Sequence, residues 1–348
     1  MTAYRAMALQ LACDAVNGCR DREAARALMR ESIDRIGRQL AASKRFVGPD
    51  LRLVVLPEYF LTGFPMGETP QQWHYKACLT LDDPLYGELG AIATANDVYL
   101  SGNAYEIDPA FPDLYFQTSF IIEPGGEVAL RYRRLVSMFA PTPHDVWDRY
   151  LEVHGFDAVF PVLDCELGRL ACVASEEILY PEISRAFALR GAEVLLHSSS
   201  EVGSPADTVK GIARRARAVE NQCYLVSANS AGIRRIAIPE CSTDGHSQIL
   251  DHQGRILAEA DTGESMVTVE ELDITALRRA RTRPGMGNLL SRQRLELFAP
   301  IYGGAPIHAA NSLLDGDGNI IAPERSHFAE QQRQALVRLA ERWQEARP

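Results

Sequence analysis

Two polar residues that follow apolar segments have side chains suited to hydrolytic chemistry. Glu58 comes directly after the run LRLVVLP, and Ser175 comes directly after GRLACVA. A carboxylate at the end of a buried strand must be paired or functional, because desolvating it alone is costly. A serine at a strand-to-helix turn is exposed and flanked by backbone N–H donors. Each residue also has a structural interpretation, as an ion-paired glutamate and as a helix cap.

A third candidate comes from the segment LRYRRLV, which contains Arg131, Arg133 and Arg134. Such a run is usually a solvated strand face, and strand alternation puts Arg131 and Arg133 on one side with Arg134 on the other. Arg134 can therefore point inward. There its planar guanidinium would hold a carboxylate or an oxyanion through two hydrogen bonds.

The composition of the 348-residue chain is that of an ordinary soluble globular protein, with 46% hydrophobic and 24% charged residues. The formal net charge of -10 argues against nucleic acid or an anionic membrane as a partner. We therefore expect a small-molecule substrate. The eight histidines show no HxH or HExxH spacing, so the sequence predicts no metal site, and it predicts no cofactor.

The seven cysteines form no CxxC pair, and the chain is too large to need disulfides for stability. This pattern predicts reduced thiols and a cytoplasmic protein. The N-terminus lacks the pattern of a signal peptide, and no run of eighteen apolar residues exists that would predict a membrane span.

Hydrophobic periodicity predicts strands and helices in alternation through most of the chain. A helix is expected at 21–43, a buried strand at 51–57, a second helix at 84–97, and a hairpin turning at the GG pair into 127–135. With further hairpins mixed in, this alternation predicts an α/β fold, a sandwich with its helices outside. Residues 281–348 differ, with a basic run, a Pro/Gly-rich section and an amphipathic helix. We expect this extension to pack on a neighbouring subunit.

Taken together, the sequence resembles the nitrilase (carbon-nitrogen hydrolase) superfamily over roughly residues 5–300. LPEYF resembles the catalytic-glutamate block, RYRRL the lysine block, and ASEEILYPEISRAFALRGAEVLL the nucleophile block. Supporting matches lie at 214–232, 245–260 and 263–273. The resemblance implies a four-layer α-β-β-α sandwich over residues 1–280, assembled as a homodimer or a higher homo-oligomer.

Members with an intact triad are implied to hydrolyse nitriles, amides or carbamoyl groups with a Glu base, a Lys oxyanion clamp and a Cys nucleophile. Here Glu58 is kept, Arg134 falls at the lysine position, and Ser175 falls at the cysteine position. Serine demands a better base than cysteine, because its hydroxyl must lose a proton as it attacks. Arg134 could clamp the oxyanion, clamp an anionic substrate, or lock Glu58 in a bidentate pair that removes the base. Cys172 lies an odd number of residues from Ser175, so alternation sends its thiol to the opposite face.

Further residues are expected to bind substrate. Tyr59 and Glu176 are two of them, and Ser199, after the strand EVLLHSS, is a third. The family often has another acidic residue between its lysine and nucleophile blocks. Asp145 is our choice, with His144 beside it as an acid-base group, although TPHD also reads as a helix start capped by Thr142 or Asp145. The loops after LPEYF and at 198–205 are expected to set the size of the substrate.

The leading hypothesis is a hydrolase of amide-like or other activated carbonyl compounds, with Ser175 as nucleophile, Glu58 as general base and Arg134 as electrostatic clamp. One alternative is a pseudoenzyme that binds a ligand without turnover. Another is a lyase or isomerase that uses the pocket without a covalent intermediate. An engineered change from cysteine to serine is also compatible with the sequence, although Arg134 favours natural divergence.

Overall fold

Two β-sheets packed face to face, with helices on both outer surfaces, make up the body of the protein. The computed structural model describes residues 3–201, 208–304 and 306–345. The predicted substrate loop at 198–205 therefore lies partly outside the described residues. Within the described part of the chain, no helix is long and apolar enough to cross a membrane.

The strands are numbered in chain order. They are β1 (Ala3–Ala8), β2 (Cys13–Asp14), β3 (Leu51–Val55), β4 (Leu79–Thr80), β5 (Tyr99–Ile107), β6 (Phe116–Ile122), β7 (Val128–Arg133), β8 (Leu163–Cys165), β9 (Gly168–Ala174), β10 (Val194–Ser199), β11 (Tyr224–Asn229), β12 (Ile233–Arg234), β13 (Gln248–Leu250), β14 (Ile256–Glu259) and β15 (Val269–Asp273).

The α-helices are numbered in the same way. They are α1 (Arg22–Val47), α2 (Pro70–Ala77), α3 (Pro84–Asn96), α4 (Trp147–His154), α5 (Pro181–Leu189), α6 (Val209–Asn221), α7 (Ile274–Thr282), α8 (Leu289–Arg292), α9 (Ala299–Tyr302) and α10 (Arg325–Glu345). The predicted helices at 21–43 and 84–97 correspond to α1 and α3. The predicted hairpin is β6 and β7.

The first sheet has the order β15-β1-β3-β5-β6-β7, with β4 paired to β5, and the second has the order β14-β13-β11-β10-β9-β8. Strands β1, β3 and β5 run parallel in the first sheet, as do β9, β10 and β11 in the second. Antiparallel strands flank both parallel centres. Parallel centres of this kind require a crossover connection between strands, which α1, α5 and α6 supply.

The main core lies between the two sheets and beneath the helices of the second. It includes Val55 from β3, Val173 from β9 and Leu196 from β10, all fully buried. A second core lies under the outer helices of the first sheet, where Ile36 of α1 and Leu89 of α3 are buried. The architecture is therefore the four-layer α-β-β-α sandwich that the sequence predicts.

The two sheets bring several strand ends to one edge. Two hydrogen bonds connect the sheets there: the backbone Glu58 N donates to Ser199 O at 3.2 Å, and the side-chain Ser198 Oγ donates to the backbone Leu56 O at 2.8 Å. Because β3, β9 and β10 are parallel strands, the residues that follow each of them come together. This edge contains Glu58 and Ser175.

The region after residue 280 is divided between two environments. The basic run at 278–283 belongs largely to α7, where Arg278 Nε donates to Glu193 Oε1 at 2.6 Å, so it packs on the body of the chain. Leu313 is buried against Phe111 and Tyr150 of the same chain. Large apolar side chains on α10, such as Trp343, are exposed. Packing of this extension on a neighbouring subunit remains a prediction.

Candidate active site

Glu58 lies at the end of the first sheet with its carboxylate buried. The residue is 1% exposed, and Gln117 Nε2 of β6 donates to its Oε1 at 2.6 Å. Gln117 also donates to Asn103 Oδ1 at 3.2 Å. Gln117 was not among the predicted site residues, although a buried glutamine near the start of the strand FQTSFII is a signal that could have found it.

Ser175 begins the short 3-10 helix Ser175–Leu179 directly after β9. Its φ of 46° is left-handed, a conformation that costs a non-glycine residue energy and that is common at functional sites. The residue is 5% exposed. The backbone at Ser175 is fixed by a buried imidazole, because His197 Nε2 lies 2.8 Å from Ser175 O and His197 Nδ1 lies 2.8 Å from Ser227 Oγ.

His197 is neutral in this setting. Burial, and secondarily the positive charge of Arg214, hold the pKa of His197 well below its ordinary value. Neutral imidazole has one N–H donor and one acceptor. A neutral ring that donates from Nε2 to Ser175 O and accepts the Ser227 hydroxyl at Nδ1 satisfies both contacts.

Arg134 points inward, as strand alternation predicts, and its guanidinium is shared among several acceptors. Nε donates to Val136 O at 2.7 Å, Nη1 donates to Gln117 Oε1, and Nη2 donates to Glu176 Oε1. The contact from Nη1 to Glu58 Oε1 is 3.5 Å long. Arg134 therefore does not form a bidentate fork with Glu58.

The two other arginines of that run differ from Arg134. Arg131 Nε donates to Glu106 Oε1 at 2.8 Å, while Arg133 forms an ion pair with Asp108. Arg133 is 6% exposed. The expectation of a solvated face is therefore wrong for Arg133, because Asp108 supplies a buried partner for its charge.

Glu177 connects the turn at Ser175 to the segment that contains Arg134. Its Oε1 accepts hydrogen bonds from the backbone N–H groups of Leu135 at 2.6 Å and Val136 at 3.1 Å. Its Oε2 accepts from Tyr132 Oη at 2.7 Å and from Ala174 N at 3.2 Å. One buried carboxylate thus fixes the distance between Ser175 and Arg134.

Lys210 is the second residue that sequence reasoning missed. It lies in the first turn of α6, and its Nζ donates to Ser175 Oγ at 3.2 Å. Burial is the main cause that lowers the pKa of Lys210, and the carboxylates of Glu58 and Glu201 act in the opposite direction. Lys210 lies far from the three motif blocks in the sequence, and no rule of residue spacing predicts that it contacts Ser175.

A cavity of about 240 Å³ opens beside these groups. Its polar lining includes Arg134, Gln117 and Glu176, and its aromatic lining includes Tyr59 and Phe139. Tyr59 stacks on Tyr105 with ring centroids 6.3 Å apart. The predicted substrate-binding residues Tyr59 and Glu176 therefore line this cavity, next to the buried catalytic candidates.

The other predicted substrate-binding residues lie elsewhere. Asp145 caps the turn that begins at Thr142, accepting from Thr142 N at 2.9 Å, and it also accepts from Ser312 Oγ at 2.7 Å. His144 lines a separate groove together with Asp145 and Phe328. The contacts of Asp145 match the alternative prediction that the segment TPHD begins a helix and that Asp145 caps it.

Ser199 and Cys172 are both buried near the catalytic candidates. Ser199 is fully buried, and its Oγ has no hydrogen-bond partner among the described residues. Cys172 Sγ lies 3.8 Å from Ser101 Oγ of the first sheet, and burial raises the pKa of its thiol to about 12. Cys172 therefore faces the core between the sheets, in agreement with strand alternation, and its thiol is protonated at neutral pH.

Comparison with known proteins identifies the family to which this site belongs. The family model for carbon-nitrogen hydrolase matches residues 6–282. The chain belongs to the carbon-nitrogen hydrolase family. It is 27% identical over 205 residues to a deaminated glutathione amidase from Yersinia enterocolitica, a match that covers 58% of this chain and 70% of that protein.

Solved structures of other family members share the fold. A carbon-nitrogen hydrolase from Helicobacter pylori G27 is 21% identical with a TM-score of 0.64, covering 86% of this chain and 98% of that one. A variant of the amidase from Nesterenkonia sp. AN1 is 21% identical with a TM-score of 0.60, covering 86% and 97%. That structure shows covalent addition of the acetamide moiety of fluoroacetamide at the active site cysteine.

Within the residues that the structure describes, no group of three or more His, Cys, Asp or Glu side chains is arranged to hold a metal ion. The side chains gathered at the candidate site are two carboxylates, a guanidinium, a hydroxyl and an amine, namely Glu58, Glu176, Arg134, Ser175 and Lys210. These groups can support acyl transfer, with the hydroxyl as nucleophile and with charged groups that stabilise an oxyanion.

Proposed function

We propose that this family member hydrolyses a small amide-like or other activated carbonyl compound through an acyl-enzyme formed on Ser175. Glu58 is the general base of the site, and Arg134 is the clamp for the oxyanion or for the substrate. The observation that carries the proposal is the division of the Arg134 guanidinium between Glu176, Gln117 and Val136. Because Arg134 is held in this way, it leaves Glu58 outside a bidentate pair.

In the reaction, Ser175 Oγ attacks the carbonyl carbon as its proton passes to the general base, and the carbonyl π electrons move to oxygen; the base later gives that proton to the leaving nitrogen. The cation of Arg134 stabilises the charge that develops there, as the family's lysine does. Expulsion of the amine leaves an ester on Ser175. Water then hydrolyses that ester and regenerates the hydroxyl.

The site sits behind a small cavity with aromatic walls, which supports a compact substrate. Tyr59 and Glu176 line the cavity, and we propose that they contact the substrate directly. We retain Ser199, His144 and Asp145 as proposed substrate-binding residues. For Asp145, the hydrogen bonds to Thr142 and Ser312 support a structural role better than a binding role.

The experiment is incubation with a panel of amides and esters, followed by intact-mass measurement and by assay of the released product. We expect an acyl adduct on Ser175 and loss of both signals in Ser175→Ala. If the wild-type protein neither turns over nor acquires an adduct, the hydrolase proposal fails. Recovery of hydrolysis in the double variant Ser175→Cys, Arg134→Lys would then identify a pseudoenzyme with an intact pocket.

A lyase or isomerase would give a different result. Turnover that persists in Ser175→Ala and vanishes in Glu58→Gln would support acid-base chemistry without a covalent intermediate. The two variants therefore separate the three hypotheses.

We also propose that the protein is a cytoplasmic homo-oligomer in which the extension 281–348 contributes to the subunit interface. The exposed apolar side chains of Ile301, Tyr302 and Trp343 support an interface on this extension. The seven unpaired cysteines support a reducing compartment. Light scattering of the full chain and of a Trp343→Ala, Ile301→Ser variant tests the assembly. A monomeric wild type would contradict the homo-oligomer, and a variant with the same mass as an oligomeric wild type would contradict an interface on the extension.

A further inference from the structure

The side chain in direct contact with the proposed nucleophile is an amine from outside the three motif blocks. Lys210 Nζ lies 3.2 Å from Ser175 Oγ, within hydrogen-bond distance. Thr208 caps α6 by accepting from Gly211 N at 3.0 Å, which fixes the first turn of the helix and therefore Lys210. Among the described residues, no hydrogen bond joins Ser175 Oγ to Glu58.

Lysine, the residue type at position 210, is rare in this chain. Of its 36 basic residues, only three are lysines, namely Lys44, Lys76 and Lys210. Lys76 donates to the backbone of Asn17 at 3.0 Å, a contact that arginine could also make. Lysine and arginine differ in that lysine can lose its proton under mild conditions while arginine cannot. A lysine at position 210 therefore supplies a group that accepts a proton.

Groups with opposite effects surround the Lys210 amine: burial and the two nearby cations favour its neutral form, while the two nearby carboxylates favour its charged form. The charged or titratable groups that act on it come from four elements, with Glu58 and Glu201 as anions, Arg134 and Arg214 as cations, and His197 as a neutral imidazole. Burial holds the pKa of the Lys210 amine below its ordinary value. A buried lysine whose pKa is lowered in this way is suited to act as a general base.

We propose that Lys210 is a catalytic residue that takes the proton of Ser175 during attack and delivers it to the leaving nitrogen. The inference rests on the proposed hydrolase function and deepens it. Lys210 then replaces Glu58 as the group that takes the serine proton directly, and the carboxylate of Glu58 stabilises the ammonium that forms. The family's lysine position is occupied by Arg134, which keeps the charge, while Lys210 supplies proton transfer from another element.

Lys210 Nζ carries one proton from Ser175 to the leaving nitrogen during acylation. The Oγ–H bond breaks and an Nζ–H bond forms, while Oγ bonds to the carbonyl carbon and the π pair moves to oxygen. As the tetrahedral intermediate collapses, Nζ gives that proton to the leaving nitrogen and the C–N bond breaks. A water molecule then attacks the ester, passing its proton to Nζ, and Nζ returns it to Oγ as the C–Oγ bond breaks.

The test compares Lys210→Met and Lys210→Arg with the wild type, using p-nitrophenyl acetate as the probe and following both p-nitrophenolate release and the acyl adduct. Lys76→Met is the matched control, because it removes another of the three lysines away from the site. We expect both substitutions at 210 to slow acylation by about 100-fold or more, since general base catalysis contributes roughly that much. In the wild type, the acylation rate should rise with pH along an ionisation that both variants lack.

Lys210→Arg is the decisive variant, because arginine keeps the positive charge but cannot accept the proton. If Lys210→Arg acylates at the wild-type rate with an unchanged pH profile, Lys210 acts only through its charge and the inference is overturned. If the wild type itself is never acylated, the hydrolase proposal fails, and the inference fails with it. The two failures are thus distinguishable.

A second measurement reports on the amine without activity. Lysine labelled with ¹³C at Cε gives a small set of signals, and the one absent from Lys210→Arg belongs to Lys210. We expect that signal to titrate below the ordinary lysine pKa and to shift in Ser175→Ala. Titration at the ordinary value, with no response to Ser175→Ala, would contradict the contact.

Discussion

The guanidinium of Arg134 meets the carboxylate of Glu58 through one contact of 3.5 Å and directs its Nη2 to Glu176 instead. This division is what keeps a carboxylate at the site available for chemistry. An arginine close to a glutamate would otherwise lower the basicity of that glutamate. Glu176 therefore holds the Nη2 group of Arg134 away from Glu58.

Removal of the Glu176 charge should let Arg134 close on Glu58. In Glu176→Gln we expect hydrolysis to fall by about 10-fold or more, because a bidentate arginine lowers a carboxylate pKa by at least about one unit. Steady-state kinetics measure the effect. Glu182→Gln, which removes an acidic residue that bonds Tyr302 at the surface, serves as the control. Equal activity in the two variants would show that Glu176 does not restrain Arg134.

Neutral His197 should make stability depend on pH. Because its pKa is lowered in the folded protein, the unfolded chain binds more protons, so the stability that His197 contributes is present above the ordinary histidine pKa and is lost as pH falls below it. We expect the wild type to lose up to about 1.4 kcal/mol per pH unit more than His197→Gln below about pH 6.5. Urea unfolding across pH 5 to about 8 checks this. Parallel curves for the two proteins would mean that folding does not lower the pKa of His197.

Cys172 should be irrelevant to catalysis. Its thiol is buried in the core and its pKa is raised to about 12, so it offers no thiolate at neutral pH. We expect Cys172→Ala to keep the acyl adduct on Ser175 and to change kcat/KM by less than about 3-fold, at a stability loss of ~1 kcal/mol. An adduct that disappears with Cys172→Ala would assign the nucleophile to the thiol.

The left-handed backbone at Ser175 should show itself in stability. Glycine adopts this conformation without strain, so we expect Ser175→Gly to be more stable than Ser175→Ala by ~1 kcal/mol, although both are inactive. Ser198 lies in regular strand β10 and provides the comparison. There glycine should be the less stable of the two substitutions. If the glycine variant is the less stable one at both positions, the backbone at Ser175 is not strained.

The fold and the three blocks were readable from sequence because they depend on local signals. The apolar runs before Glu58 and Ser175 define strands, and the alternation in LRYRRLV correctly sends Arg134 inward. The sequence could not show how the Arg134 guanidinium would be divided, since Glu176 is 42 residues away and its competition with Glu58 depends on distances within the folded chain.

Lys210 and Gln117 were missed for a related reason. Gln117 on β6 reaches Glu58, which follows β3, across the one intervening strand β5, and Lys210 reaches Ser175 from a helix that follows a different strand. Sequence spacing predicts contacts within one element, such as neighbours on a helix or alternate residues on a strand. It does not predict which side chains of separate elements meet.

The proposed catalytic groups follow strands of two different sheets, and this placement has a mechanical consequence. Glu58 and Arg134 belong to the first sheet, while Ser175 and Lys210 belong to the second sheet and its covering helix. A slip of one sheet over the other by an ångström would leave every strand intact and still separate the reacting atoms. Turnover therefore depends more strongly on the alignment of the two sheets than secondary structure does. We expect substitutions at Leu56 or Ser198 to lower kcat before they change the content of helix and strand.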